Sequence, residues 1–228
     1  MTSLSQFYEE NLYPLQNGVL RAVENCKTRF YLTGGTALSR VYYHHRYSDD
    51  LDFFVNRDTA YDEQADIIFA KLREEGFFWD SSDDFVKTPD FRSIKVRWDK
   101  SDAVLKLDFV NDSTPHFGDF IQIDFFSRID PVRNILSNKL GAIFRFAGKD
   151  VADIREIALH ESVNWAEIIN EARQKDAGVD IPYITEILKS MPRHIFEEIH
   201  WIKDPGWETF QADIEKITFD MMSVRNSQ

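Results

Sequence analysis

The chain has 228 residues, 43% of them hydrophobic and 29% charged, with 19 Phe, 8 Tyr and 5 Trp. That apolar content suffices for one large domain or two modest ones; with only 9 Gly and 7 Pro, it excludes a disordered, collagen-like or disulfide-scaffold chain. The formal net charge is −12, so nucleic acid would need a local basic patch, and the single cysteine, Cys26, excludes an intrachain disulfide and suits a reducing compartment.

In chain order, Met1–Gln6 carries neither a basic region nor an apolar run, and no later stretch is apolar for long enough to span a bilayer. A cytoplasmic protein without membrane contact is expected. Residues 5–27 read as a helix, with Phe7, Leu12, Leu15, Val19 and Val23 near helical spacing. Phe30–Thr33 reads as a short strand stopped by Gly34 and Gly35. Thr36 is expected to cap a helix running to about His45. Leu51–Val55 reads as a strand, and Thr59–Gly76 as a helix closed by its glycine. Three β-rich stretches follow, Phe77–Lys87, Phe91–Asp99 and Ala103–Asn111, with a fourth near Phe120–Phe126, spaced as in a meander.

After Pro131 the period becomes helical. Val132, Ile135, Leu136, Leu140, Ile143 and Phe144 form one stripe, and Val151–His160, Ser162–Arg173, Ile181–Lys189 and Pro192–Trp201 are further helices. Trp165, Phe196, Trp201, Trp207 and Phe210 are expected to be core. The composition shift divides the chain into an α+β part, residues 1–130, and a helical part, residues 131–228.

Charge is distributed unevenly. Residues 49–66 hold Asp49, Asp50, Asp52, Asp58, Asp62, Glu63 and Asp66 against Arg57. Residues 128–155 hold Arg128, Arg133, Lys139, Arg145, Lys149 and Arg155 against Asp130, Asp150 and Asp153. A metal site beside an anion site is the reading.

The stretch from Tyr31 to Phe54 carries the chemistry. Gly34 and Gly35 permit a sharp turn and a close ligand approach, and a helix beginning at Thr36 would turn its free N–H groups and hydroxyl toward a phosphate. Asp50 and Asp52, two apart on a strand, share one face, while Leu51 and Phe53 take the other. Such a pair repels itself unless a cation lies between, and Mg²⁺ accepts carboxylate and phosphate oxygens together. A phosphate seat joined to a carboxylate pair suits phosphoryl or nucleotidyl transfer. Asp108, in the alternating Val104–Val110 stretch, is the preferred third carboxylate, and Asp124 the weaker alternative.

These residues carry a resemblance. Gly34-Gly35-Thr36-Ala37-Leu38, a spacer of 13 residues to Asp50, and His45-Arg46-x-Ser48-x-Asp50-Leu51-Asp52-Phe53 resemble the signature of the AbiEii/AbiGii-type nucleotidyltransferase toxins of the DNA polymerase β-like superfamily. The stretch from Asn138 to Asp153 is similar to that family's second motif, with three departures. Lys149 stands where Arg is usual, the segment is one residue shorter, and Arg145 comes one position early, leaving Phe146 in its place.

The resemblance implies an α+β fold: a nucleotidyltransferase mixed-sheet core followed by a helical domain. It implies transfer of a nucleoside monophosphate from an NTP to an acceptor, RNA such as tRNA in some members, with loss of pyrophosphate. Mg²⁺, or Mn²⁺, would sit on Asp50, Asp52 and Asp108, the expected catalytic residues. Gly34, Gly35, Thr36, Arg46, Ser48, Lys139 and Asp153 would bind the nucleotide, with Lys139 on the triphosphate. A cognate antitoxin is the implied protein partner.

Each assignment has a plainer counterpart. Arg46 and Ser48 either bind phosphate or brace the turn; His45 reads as structural and His44 as exposed. Lys139 is otherwise an exposed helix lysine, and Asp150 and Asp153 otherwise helix-start acids. Three rival functions remain: an Asp-x-Asp glycosyltransferase, a nucleotidyltransferase for a cationic small molecule of aminoglycoside type, and a non-catalytic binding protein.

Overall fold

The computed structural model describes residues 3–80 and 82–225. Met1 and Thr2 of the start, Ser81 within the 77–87 stretch and residues 226–228 of the helical part lie outside it. The chain divides into two compact units. The first comprises Met1–Ala37, Asp49–Ser113 and Asp119–Asp130, and the second Leu38–Ser48, Thr114–Gly118 and Pro131–Gln228.

The first unit opens with α1 (Leu4–Phe7), capped by the Ser3 hydroxyl, which accepts from the Gln6 N–H. A π-helical turn, Tyr8–Leu12, joins it to α2 (Tyr13–Asn25). Pro14 has no N–H to give to the turn before it, and the Tyr13 N–H reaches back to the Tyr8 carbonyl, which widens that turn. The expected helix over 5–27 is therefore present with a π segment inside it.

Among the described residues, eight strands build one mixed sheet: β1 (Tyr31–Thr33), β2 (Asp50–Asn56), β3 (Phe77–Phe78), β4 (Phe85–Thr88), β5 (Phe91–Trp98), β6 (Ser101–Asp112), β7 (Ile121–Ile123) and β8 (Phe126–Ile129). Their order is β3-β5-β6-β2-β1-β8-β7, with β4 also paired to β5. The meander expected after residue 77 is real for β4, β5 and β6, which pair antiparallel in sequence. β2 runs parallel to β6 and antiparallel to β1.

On β2, Leu51, Phe53 and Val55 are buried while Asp50, Asp52 and Phe54 are half-buried, so the alternation read from the sequence is the observed one. Phe53 stacks on Phe109 with ring centroids 5.2 Å apart, and Phe30 meets Phe109 edge-on at 5.3 Å. α3 (Gly34–Ala37) follows β1 directly. α4 (Tyr61–Glu74) buries Tyr61, Ala65, Ile68 and Leu72, and Gly76 follows its end at φ +87°.

Much of the acidic run serves this packing. The fully buried Arg92 guanidinium of β5 pairs with Asp62 and, at 2.5 Å, with Asp66, both on α4. Asp58 pairs with Arg29 at 2.5 Å.

The second unit contains a π-helical turn, Leu38–Tyr43, then α5 (Val132–Ala142), a 3-10 turn Ile143–Arg145, α6 (Gly148–His160), α7 (Trp165–Lys175), α8 (Ile181–Lys189), α9 (Arg193–Glu197) and α10 (Trp207–Arg225). Asn164 caps α7 by accepting from the Glu167 N–H, so that helix begins after the expected Ser162. α9 stops at Glu197, and Trp201 forms an isolated bridge with Arg46 instead of extending the helix.

α10 was not anticipated as a helix, although Phe210, Ile214, Ile217 and Met221, all buried, have helical spacing. Trp165, Phe196 and Phe210 are buried, while Trp201 and Trp207 are half-buried against Phe196. Among the described residues no helix is long and apolar enough to cross a membrane.

Candidate active site

The first cluster lies in the first unit. β1 ends at Thr33, which pairs with Asp52 across the antiparallel ladder. The next residue, Gly34, has φ +72°, and a Cβ there would overlap Asp52 Oδ2. The helical turn begins at Gly34 itself, two residues before the expected start at Thr36. Thr36 is therefore not the cap. Its buried hydroxyl donates to the Asp50 carbonyl and so ties α3 to the first residue of β2. Gly35 is buried inside the same turn.

The parallel register sets Asp52 beside Asp108 and Asp50 beside Lys106, with Leu51 beside the buried Leu107. Asp50, Asp52, Lys106 and Asp108 consequently share one face of the sheet. Asp108 lies on β6, a strand flanked by β5 and β2. Asp124 does not belong here. It is exposed in the turn between β7 and β8, beyond the end of its short strand, so the strand placement expected for it is corrected.

Two partners of Asp108 went unread in the sequence. Ser93, opposite it on β5, donates to Oδ1 at 2.6 Å, and the Lys106 ammonium donates to Oδ2 at 2.5 Å. Lys106 was accessible to strand parity, being two residues before Asp108; Ser93 needed the pairing of β5 with β6. Burial pulls the Lys106 ammonium down, but its hydrogen bond to Asp108 and the charges of Asp108, Asp52 and Asp50 outweigh that, and the net shift is upward. All three carboxylates therefore act on one ammonium.

As a donor set, three carboxylates on one face fit a hard divalent cation. As the side chains stand, no three His, Cys, Asp or Glu groups among the described residues are gathered tightly enough to hold a metal ion.

The second cluster lies in the second unit. Arg46 grips Asp153 with both arms, Nε to Oδ1 and Nη2 to Oδ2, each at 2.7 Å. His45 Nε2 lies 2.8 Å from Asp153 Oδ1, and its buried Nδ1 has no hydrogen-bond partner among the described residues. Lys139 bridges Asp150 and Asp153 at 2.7 Å each, and Arg145 reaches Asp150 at 3.0 Å.

Arg46, Lys139, Asp150, Asp153 and Ser48 are all buried, whereas Arg145 and Lys149 are exposed. Lys139 is thus no exposed helix lysine, and Asp150 and Asp153 spend their carboxylates on side chains, not on the start of α6. Arg46 also donates to the Tyr47 carbonyl, so it braces its own turn. His45 is buried and His44 exposed, as expected.

Burial alone would raise the Asp153 carboxyl. The Arg46 and Lys139 charges and the bonds from His45 and Arg46 overturn that and hold it well below the usual carboxylate range. Burial likewise opposes the charged form of Lys139, and Asp153 and Asp150 together raise it nonetheless.

The model of the family described as "Nucleotidyl transferase AbiEii toxin, Type IV TA system" matches residues 19–222. No curated protein matches the chain significantly in sequence. Among solved structures, the chain is similar to JHP933 from Helicobacter pylori, with TM-score 0.57 and 17% identity over 95% of this chain and 94% of that one. It is also similar to MenT4, a nucleotidyltransferase toxin from Mycobacterium tuberculosis, with TM-score 0.58 and 15% identity over 93% of this chain and 82% of that one. At such identities the structural likeness establishes the fold: a nucleotidyltransferase mixed sheet followed by a helical region. The family match spans most of the sequence and includes both clusters, and on that ground the chain belongs to the AbiEii family of nucleotidyltransferase toxins of type IV toxin–antitoxin systems.

Proposed function

We propose that the protein transfers a nucleoside monophosphate from an NTP to an RNA acceptor such as tRNA, using Mg²⁺, for which Mn²⁺ can substitute, held by Asp50, Asp52 and Asp108. The observation that carries this reading is the parallel register that sets Asp52 beside Asp108, with Asp50 on the same face. A bound divalent cation supplies charge neutralisation for a triphosphate.

The chain's own residues supply the rest. Gly34, lacking a side chain, makes room for the Asp52 carboxylate, and Thr36 fixes the start of β2, hence the position of Asp50. Gly35 and Ser48 are assigned to the nucleotide's surroundings. In the second unit, Arg46, Lys139 and Asp153 are assigned to the nucleotide by the resemblance; both cations are buried and paired, Arg46 with Asp153 and Lys139 with Asp150 and Asp153, so a polyphosphate would have to compete with those carboxylates. The acceptor hydroxyl attacks the α-phosphorus, its proton passes to a carboxylate of the first cluster, and the bond to pyrophosphate breaks. An antitoxin counterpart accompanies this activity through the family's role in toxin–antitoxin systems.

The test is label transfer from each NTP, with Mg²⁺, to tRNA, to bulk RNA and to an aminoglycoside. RNA labelling that Asp52→Ala abolishes, with the melting profile retained, supports the reading. Labelling of the aminoglycoside alone, which the chain's net charge of −12 would suit, replaces the acceptor. Undiminished labelling by Asp52→Ala overturns the site.

A further inference from the structure

Lys106 is the member of the first cluster to which the proposed transfer assigns no role. It stands in register with Asp50, its ammonium lies 2.5 Å from Asp108 Oδ2, and Ser93 occupies Asp108 Oδ1. On its other side it faces Lys95 of β5 in register. Like charges directly opposed across a ladder repel, so leaning toward the carboxylates relieves Lys106 on one side while it gains on the other.

The two ends of the pair differ. The Asp108 side chain is 15% exposed, whereas that of Lys106 is 46% exposed. The carboxylate is therefore fixed and shielded, and the ammonium has open water to move into.

We propose that Lys106 is a built-in counter-cation of the three-carboxylate face, seated on Asp108 Oδ2 when no divalent ion is bound and displaced into solvent when one binds. The inference rests on the assignment of Asp50, Asp52 and Asp108 to the metal. An ammonium and a dication cannot share one carboxylate oxygen without strong repulsion. Seated, Lys106 offsets the mutual repulsion of the three acids and stabilises the metal-free protein. It also makes every metal-binding event an exchange of one cation for another, which lowers the site's affinity for the free ion.

The experiment is calorimetric titration of the full-length protein with Mg²⁺ and with Mn²⁺, without nucleotide, alongside thermal melts of the metal-free protein. Lys106→Met and Lys106→Gln are expected to bind the ions about tenfold or more tighter than the wild type and to melt lower without metal. Lys106→Arg, which keeps the charge, should restore wild-type affinity. Gln preserves polarity should Met perturb the strand.

Unchanged or weaker ion binding by both neutral variants overturns the exchange. Adding Asp52→Asn to Lys106→Gln separates the two claims. If that second change leaves ion binding intact, the carboxylate assignment fails, and the inference falls with it. If it weakens binding while Lys106→Gln alone had no effect, only the lysine's part fails.

Discussion

Asp52 fills the space that a side chain on Gly34 would need: a Cβ at that glycine would overlap Asp52 Oδ2. The strand-end glycine and the second acid of the Asp-x-Asp pair are thus one structural unit, although 17 positions separate them in the chain.

Gly34→Ala should therefore fail twice. At φ +72° the alanine is strained by about 1–2 kcal/mol, and its methyl group pushes Asp52 aside. Nucleotidyl transfer is expected to fall by more than the loss of folded protein explains. Activity per folded molecule, measured beside a thermal melt, checks this; wild-type specific activity would contradict it.

Asp153→Asn should cost about 3–5 kcal/mol of stability, because it leaves the buried Arg46 without its bidentate partner. The pH dependence has a definite sign. Asp153 is held well below its usual range, so the unfolded chain takes up its proton at higher pH than the folded one. Its contribution is complete above about pH 3.9 and drains away as the pH falls from there toward the depressed folded value. Melting temperature plotted against pH should show a shallower acid limb in Asp153→Asn than in the wild type.

Phe146 is an apolar non-glycine residue with positive φ, at φ 56° and ψ 32°, and it is 67% exposed. Little burial is lost by replacing it. Phe146→Asn, better suited to the left-handed region, is expected to stabilise by about 0.5–1 kcal/mol. For a chain of this size that corresponds to a melting point higher by roughly 1–4 °C, which differential scanning calorimetry resolves.

How legible this was depends on the range of each interaction. The common face of Asp50 and Asp52 follows from strand alternation alone and could be read directly. The same parity puts Lys106 beside Asp108 and Arg92 with the buried Ile94, yet an arginine is ordinarily exposed, and pairing with Asp62 and Asp66 decides its burial here. The helical turn starts at Gly34, against the low helix propensity of two glycines, where a φ of +72° turns the chain out of β1. The grip of Arg46 on Asp153 spans 107 positions, and no local pattern announces such a partner. The motif flagged both residues, but not that they satisfy each other.

Residues 38–48 precede the Asp-x-Asp strand in the chain, yet they fold with the helices that follow Pro131. Arg46, in that stretch, is completed by Asp153. Cutting the gene after Asp130 would keep every acid of the first cluster and leave a buried guanidinium orphaned. A graft exchanging the helical portion between relatives would have to carry a matched copy of the 38–48 stretch. The folding boundary therefore does not coincide with any single cut in the sequence, and an exchange of the helical portion has to respect the former.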